Sequence, residues 1–185
     1  MRKILAGKME SQPKAGDARL RRLAASIEAL AEKDALLLGH ARDTADLRRS
    51  AALELHGICA SFVESLNRLL TNTAIILDPP EYSEEAFSED SPNLIQINAS
   101  GRILQVSFAC TDDLVSTEDF RIPYTLAGSI RAFNQRMLDK DLIEEQLLFF
   151  TLEKHRARWR FFDSRTYRSG PFDREYLISV MEQLI

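Results

Sequence analysis

The sequence is poor in the residues from which active and metal sites are usually built. Only two cysteines, Cys59 and Cys110, occur in 185 residues. That is too few for a disulfide framework and fits a reducing compartment. Both fall among apolar residues and read as buried free thiols. Of the three histidines, His56 stands three residues before Cys59 on a helix, but no second His/Cys pair completes a metal site. His40 and His155 have no neighbouring pattern that marks a general base. Gly101, Gly128 and Gly170 are isolated, and none opens a phosphate-cradling loop. Asp112, Asp113, Glu118 and Asp119 lack the alternating oxygens and central glycine of a calcium loop, so they read as a solvated turn. Asn98-Ala99-Ser100 matches a glycosylation acceptor without meaning inside a reducing cell. No stretch approaches the roughly 18 consecutive apolar residues of a membrane span. Ile4-Leu5-Ala6 is too short for a secretion-signal core. The expectation is a cytoplasmic protein with no catalytic residues, no cofactor and no metal.

Neither sign of charge dominates. Lys and Arg number 24 against 28 Asp and Glu, for a net charge of -4. This argues against nucleic acid as the default partner and leaves it an unfavoured possibility. The first 22 residues are the exception, with Arg2, Lys3, Lys8, Lys14, Arg19, Arg21 and Arg22 against Glu10 and Asp17. Residues 1–16 are expected to form a disordered basic tail.

What the sequence does have is a long apolar helical stripe. One seven-residue column reads Leu20, Ile27, Asp34, Ala41, Arg48, Leu55, Phe62 and Leu69, and another contains Leu23, Leu30 and Leu37. Such a stripe is the mark of helices buried against helices. Unbroken from Asp17 to Asn72 it would run roughly 80 Å, against a radius of gyration of about 13 Å for the remaining hundred or so residues. Its own other half or a second subunit must cover it. Gly39 as a stop, with Asp43 or Thr44 as an N-cap, favours a hairpin near Ala41, whereas the apolar phase runs straight through. Asp34 and Arg48 lie symmetrically about Ala41 within the stripe. Antiparallel packing, within one chain or between two, would bring these opposite charges together. The expected oligomer seam is Leu20, Ile27, Leu30, Asp34, Leu37, Arg48, Leu55 and Phe62, making a homodimer or higher homo-oligomer.

Residues 17–76 therefore form the expected assembly region. Residues 77–92, acidic and with three prolines, are expected to be a linker, and residues 93–185 an α+β domain. Strands are expected at 94–98 and 102–110 around Ala99-Ser100-Gly101, with Leu104, Val106, Phe108 and Cys110 on one face. Phe120, Ile122 and Tyr124 alternate as a third strand. Leu126, Ile130, Phe133 and Met137 have helical spacing. Residues 146–153 and 156–162 suggest another hairpin. Ser169-Gly170-Pro171 signals the start of a last helix, with Tyr176, Leu177, Val180, Met181 and Leu184 as its apolar face. The fold class is α+β: long N-terminal antiparallel helices, as a hairpin or one extended helix, then a mostly antiparallel five-stranded sheet with two helices, in the order βββαββα. Over about the last 130 residues this order resembles that of small dimeric type III secretion chaperones, which implies a non-enzymatic adaptor or chaperone-like role. No motif is shared, and the long N-terminal helices depart from that family.

The richest cluster of charge lies on the last predicted hairpin. Alternation places Lys154, Arg156, Arg158, Arg160 and Phe162 on one strand face and His155, Ala157, Trp159 and Phe161 on the other. Arg165, Tyr167 and Arg168 extend the row. Such a row suits an anion or nucleic acid. It equally suits a solvated sheet face, or pairing with the acidic linker. Two functions follow: a homo-oligomeric protein-interaction protein assembled by its helices, and an anion- or nucleic-acid-binding module.

Overall fold

The computed structural model describes residues 15–117, 120–153 and 156–185. Side chains at 15–17, 37 and 113–115 lie outside that description. So do residues 1–14 of the tail expected at 1–16, the acidic residues Glu118 and Asp119, and Lys154 and His155 of the arginine strand; residues 15 and 16 begin a helix. The chain divides into two units between Thr44 and Ala45.

Helix α1, Ala15–Asn67, is continuous. The expected hairpin near Ala41 does not form. Gly39 costs a helix only about 1 kcal/mol, and no proline intervenes to remove a hydrogen bond. Thr44 does not cap a second helix either; its Oγ1 donates to the His40 carbonyl one turn back, at 2.9 Å.

In the second unit the end of α1 lies on an antiparallel sheet of seven strands in sequence order. These are β1 (Ile76–Asp78), β2 (Asn93–Ala99), β3 (Arg102–Val115), β4 (Tyr124–Phe133), β5 (Glu144–Glu153), β6 (Arg156–Asp163) and β7 (Arg168–Pro171). A five-residue helix α2, Gln135–Asp139, joins β4 to β5, and α3, Arg174–Leu184, closes the chain. The architecture is α+β, as expected, but the strands number seven rather than five. Both added strands are short edges, three and four residues long, too brief to show a period of two. Ser169-Gly170-Pro171 belongs to β7, and Asp173 caps α3 by accepting from the Tyr176 amide at 3.0 Å.

The expected helix from Leu126 is strand β4. Leu126 and Ile130 are four apart, which is about one helical turn but also two full strand repeats, so both bury on one face either way. Helix begins only where Asn134 accepts from the Met137 amide at 3.0 Å. The third strand is therefore 124–133 rather than 120–124, and the expected order βββαββα is present from β2 to α3 with the edge strands β1 and β7 added.

One sheet face carries the main core. From α1 come Ala51, Ala52, Leu55, Cys59 and Phe62; from the strands Ile95, Ile97, Leu104, Val106, Phe108, Leu126, Leu148, Phe150 and Trp159; from α3 Leu177, Val180, Met181 and Leu184. The expected faces of β3 and α3 are the buried ones. Trp159 also ties strand to helix: its indole Nε1 donates to the Ala51 carbonyl at 2.8 Å. On the opposite face Phe120, Tyr124, Phe149 and Phe162 form a smaller aromatic cluster.

Residues 77–92 carry more structure than three prolines suggest. The prolines fall outside the regular elements: β1 ends at Asp78, and a single 3-10 turn spans Glu84–Ala86. Leu77 and Phe87 are buried in the main core. Asn93 binds the stretch down, accepting from Tyr82 Oη at 3.0 Å and the Ser88 amide at 2.9 Å, and donating to the Ser88 carbonyl at 2.8 Å.

Candidate functional site

The apolar stripe divides at the boundary between the two units. From Ala45 onward it is an ordinary core face. Leu55 and Phe62, expected at an oligomer seam, are buried against their own sheet. Arg48 is likewise used internally: its Nε donates to Thr125 Oγ1 at 2.9 Å and its Nη2 to the Thr111 carbonyl. The Arg48 guanidinium thus bridges β3 and β4 of its own unit.

Before the boundary the described large apolar side chains of the stripe are exposed. Leu20, Leu23, Ile27, Leu30 and Leu38 are 57–65% exposed, and every described side chain from 18 to 38 is exposed. Large apolar side chains spaced three and four apart on one helix make a contiguous patch, which soluble monomers seldom present to water. Charge is unevenly placed along it, with Arg19, Arg21 and Arg22 in the first turns and Glu28, Glu32 and Asp34 further on. The lone cation in that later stretch is Lys33. No helix among the described residues is long and apolar enough to cross a membrane.

Three arginines of the row, Arg158, Arg160 and Arg165, are held in ion pairs. β6 spans about 23 Å at 3.3 Å per residue, with Arg156 at its start and Arg165 beyond its end in the turn before β7. Glu153 clamps two of the arginines, Arg158 Nη2 at 2.9 Å and Arg160 Nη1 at 3.2 Å. The counter-ion is thus a neighbour across the β5–β6 hairpin rather than the acidic 77–92 stretch. The register of β5 against β6 sets Glu153 opposite Arg156 on the same face. Arg165 pairs with Glu144 at 3.3 Å and Asp163 at 3.4 Å. Burial alone would raise the Asp163 carboxyl, but the Arg165 amide, the Thr166 hydroxyl and the Arg165 guanidinium hold it below its usual range. Tyr167 and Arg168 are exposed, and the Tyr167 ring meets Phe162 edge-on at 6.2 Å.

A different grouping is assembled instead. Arg121, Arg156 and Arg160 line an open cleft of about 820 Å³ with Glu153, Ile122, Pro123 and Leu152. The Nε atoms of Arg158 and Arg160 are buried without a hydrogen-bond partner among the described residues. Arg121 lies in the irregular stretch before β4, which is why strand alternation did not point to it.

His56 and Cys59 are packing residues. His56 Nε2 is 2.9 Å from the Pro79 carbonyl, and the ring stacks on Tyr82 at 5.5 Å. Among the described residues no three His, Cys, Asp or Glu converge on a point that could hold a metal. Burial pushes the Cys59 thiol up to about 12. The half-buried Cys110 is also raised, burial outweighing the opposing Arg48 guanidinium. A thiol reagent at pH 8 is expected to label at most Cys110 in native protein, and both cysteines after unfolding in guanidinium. Two fast thiols in the native state would contradict the burial of Cys59.

Comparison of the chain with protein-family models, curated proteins and solved structures finds no match in any of the three.

Proposed function

We propose that this protein is a non-enzymatic, homo-oligomeric interaction protein that assembles through the first half of α1 and presents its α+β unit to a protein partner. The single observation behind this reading is the uncovered stripe, with five large apolar side chains, Leu20, Leu23, Ile27, Leu30 and Leu38, more than half exposed. Water disfavours that surface in proportion to its area, and a second helix of the same pattern removes it. Light scattering on the full chain over a hundredfold concentration range tests the reading. The expected mass is a multiple of 21.0 kDa; a strict monomer throughout would refute it.

A second reading, an anion- or nucleic-acid-binding module, is favoured by the cleft that gathers Arg121, Arg156 and Arg160. Charge-assisted, forked donors suit a carboxylate or phosphate. Inorganic phosphate and a short single-stranded oligonucleotide are the probes. Binding should weaken steeply with salt, and the double substitution Arg121→Ala, Arg156→Ala should reduce it at least tenfold while the Glu153 pairs stay intact. Salt-independent or unchanged binding in that variant would remove the reading.

A further inference from the structure

Two copies of the Leu20–Leu38 stripe can pair in the same or opposite direction, and the charges along it distinguish these. Asp34 occupies the same seven-residue column as Leu20 and Ile27, so it lies in the stripe rather than beside it. A parallel pair in register would set Asp34 against its own copy and the Arg19, Arg21 and Arg22 turns against theirs. Like charges at a seam being desolvated are unfavourable. In the opposite direction the apolar layers align with Ile27 of each helix level with Leu30 of the other. Asp34 then falls level with Leu23 of the second copy, about 1.5 Å in rise from Arg22 and about 6 Å from Arg19. Arg48, which would have placed the crossing near Ala41, is held within its own unit by Thr125 and Thr111.

We infer that the chain dimerises as an antiparallel pair of helices over residues 20–38, crossing between Glu28 and Ala29, with each Asp34 held by the Arg19–Arg22 turns of the other copy. This rests on the assembly function proposed above and adds its direction and register. The occupant of the stripe is a second copy of this chain, because the stretch is complementary to its own reverse: apolar along the seam, basic at one end, acidic toward the other.

Spin labels on the full chain, in a Cys59→Ala, Cys110→Ser background, provide the test. A label at Glu28 should lie close to its own copy, since packed helix axes are about 10 Å apart. A label at Ala18 should lie about 30 Å from its copy, given 21 residues of rise between the two positions. Short distances at both sites would mean a parallel pair, overturning the inferred direction while leaving self-assembly standing. No dipolar coupling at either site, with a monomeric mass, would overturn both. A charge swap offers a second route with the native cysteines in place. Asp34→Arg should weaken the dimer at least tenfold, and adding Arg19→Glu and Arg22→Glu should recover most of the loss. Failure of the triple variant to recover any affinity would also overturn the pairing.

Discussion

Replacing Leu23 and Leu30 together by glutamate is expected to abolish assembly and leave the α+β unit folded. Both leucines are more than half exposed in the single chain, so neither contributes to the core formed by the unit from Ala45 onward. Glutamate is a good helix former, so α1 itself should persist. A dimer buries four such leucines, each worth about 1.5 kcal/mol, which together amount to roughly a ten-thousandfold change in Kd. The introduced carboxylates add a desolvation cost on top. Light scattering should show mass falling to that of one chain, while far-UV circular dichroism and the Tm of the main transition stay close to wild type at matched concentration. An unchanged mass would mean that assembly does not use this stripe. A collapse of the main thermal transition would mean that these leucines support the second unit.

The second large effect belongs to Gly128. It sits in mid-sheet, opposite Phe108 on β3 and Leu148 on β5. A Cβ there would stand 1.9 Å from the Ser107 carbonyl oxygen and 2.7 Å from the Phe108 Cα. Both obstacles are backbone in the middle of a ladder, so neither can rotate away. Alanine in a strand ordinarily gains about 0.5–1 kcal/mol over glycine by restricting the unfolded chain. Here Gly128→Ala is expected to cost about 3 kcal/mol, because β3 and β4 must move apart under the main core. Urea unfolding would read this as a fall in midpoint. Gly57→Ala is the matched control. Gly57 lies within α1 with open space where its Cβ would go, and there the same change should stabilise by about 1 kcal/mol. Equal effects at the two sites would show that the close approach at Gly128 is relieved at no cost.

Several elements were legible in advance because their signals are local. The faces of β3 and of α3 follow from periods of two and 3.6 that depend on no distant partner. The separation of Trp159 from Arg158 and Arg160 onto opposite faces of β6 follows from the same alternation, and Trp159 buries at the Ala51 carbonyl as an apolar-faced residue should. The key apolar residues of strand β4 satisfy two periods at once, and only the ladders to β3 and β5 choose between them. The edges β1 and β7 are too short to have a period, and both exist because a longer neighbour supplies the hydrogen bonds.

The candidate sites show the same division. That an apolar stripe runs from Leu20 past Phe62 without a break is a property of the sequence alone, since spacing along a helix depends only on its pitch. Which part of it is covered is a tertiary fact. The sheet face that carries the main core is filled by Ala51 to Val63 and by α3. The arginines likewise exist in the sequence as a row, and the return of β5 against β6 brings Glu153 within reach of both Arg158 and Arg160. Local periodicity thus determined the elements and the apolar faces. The tertiary structure decided which apolar faces are left over, because burial depends on residues distant in sequence that only the folded sheet brings within contact.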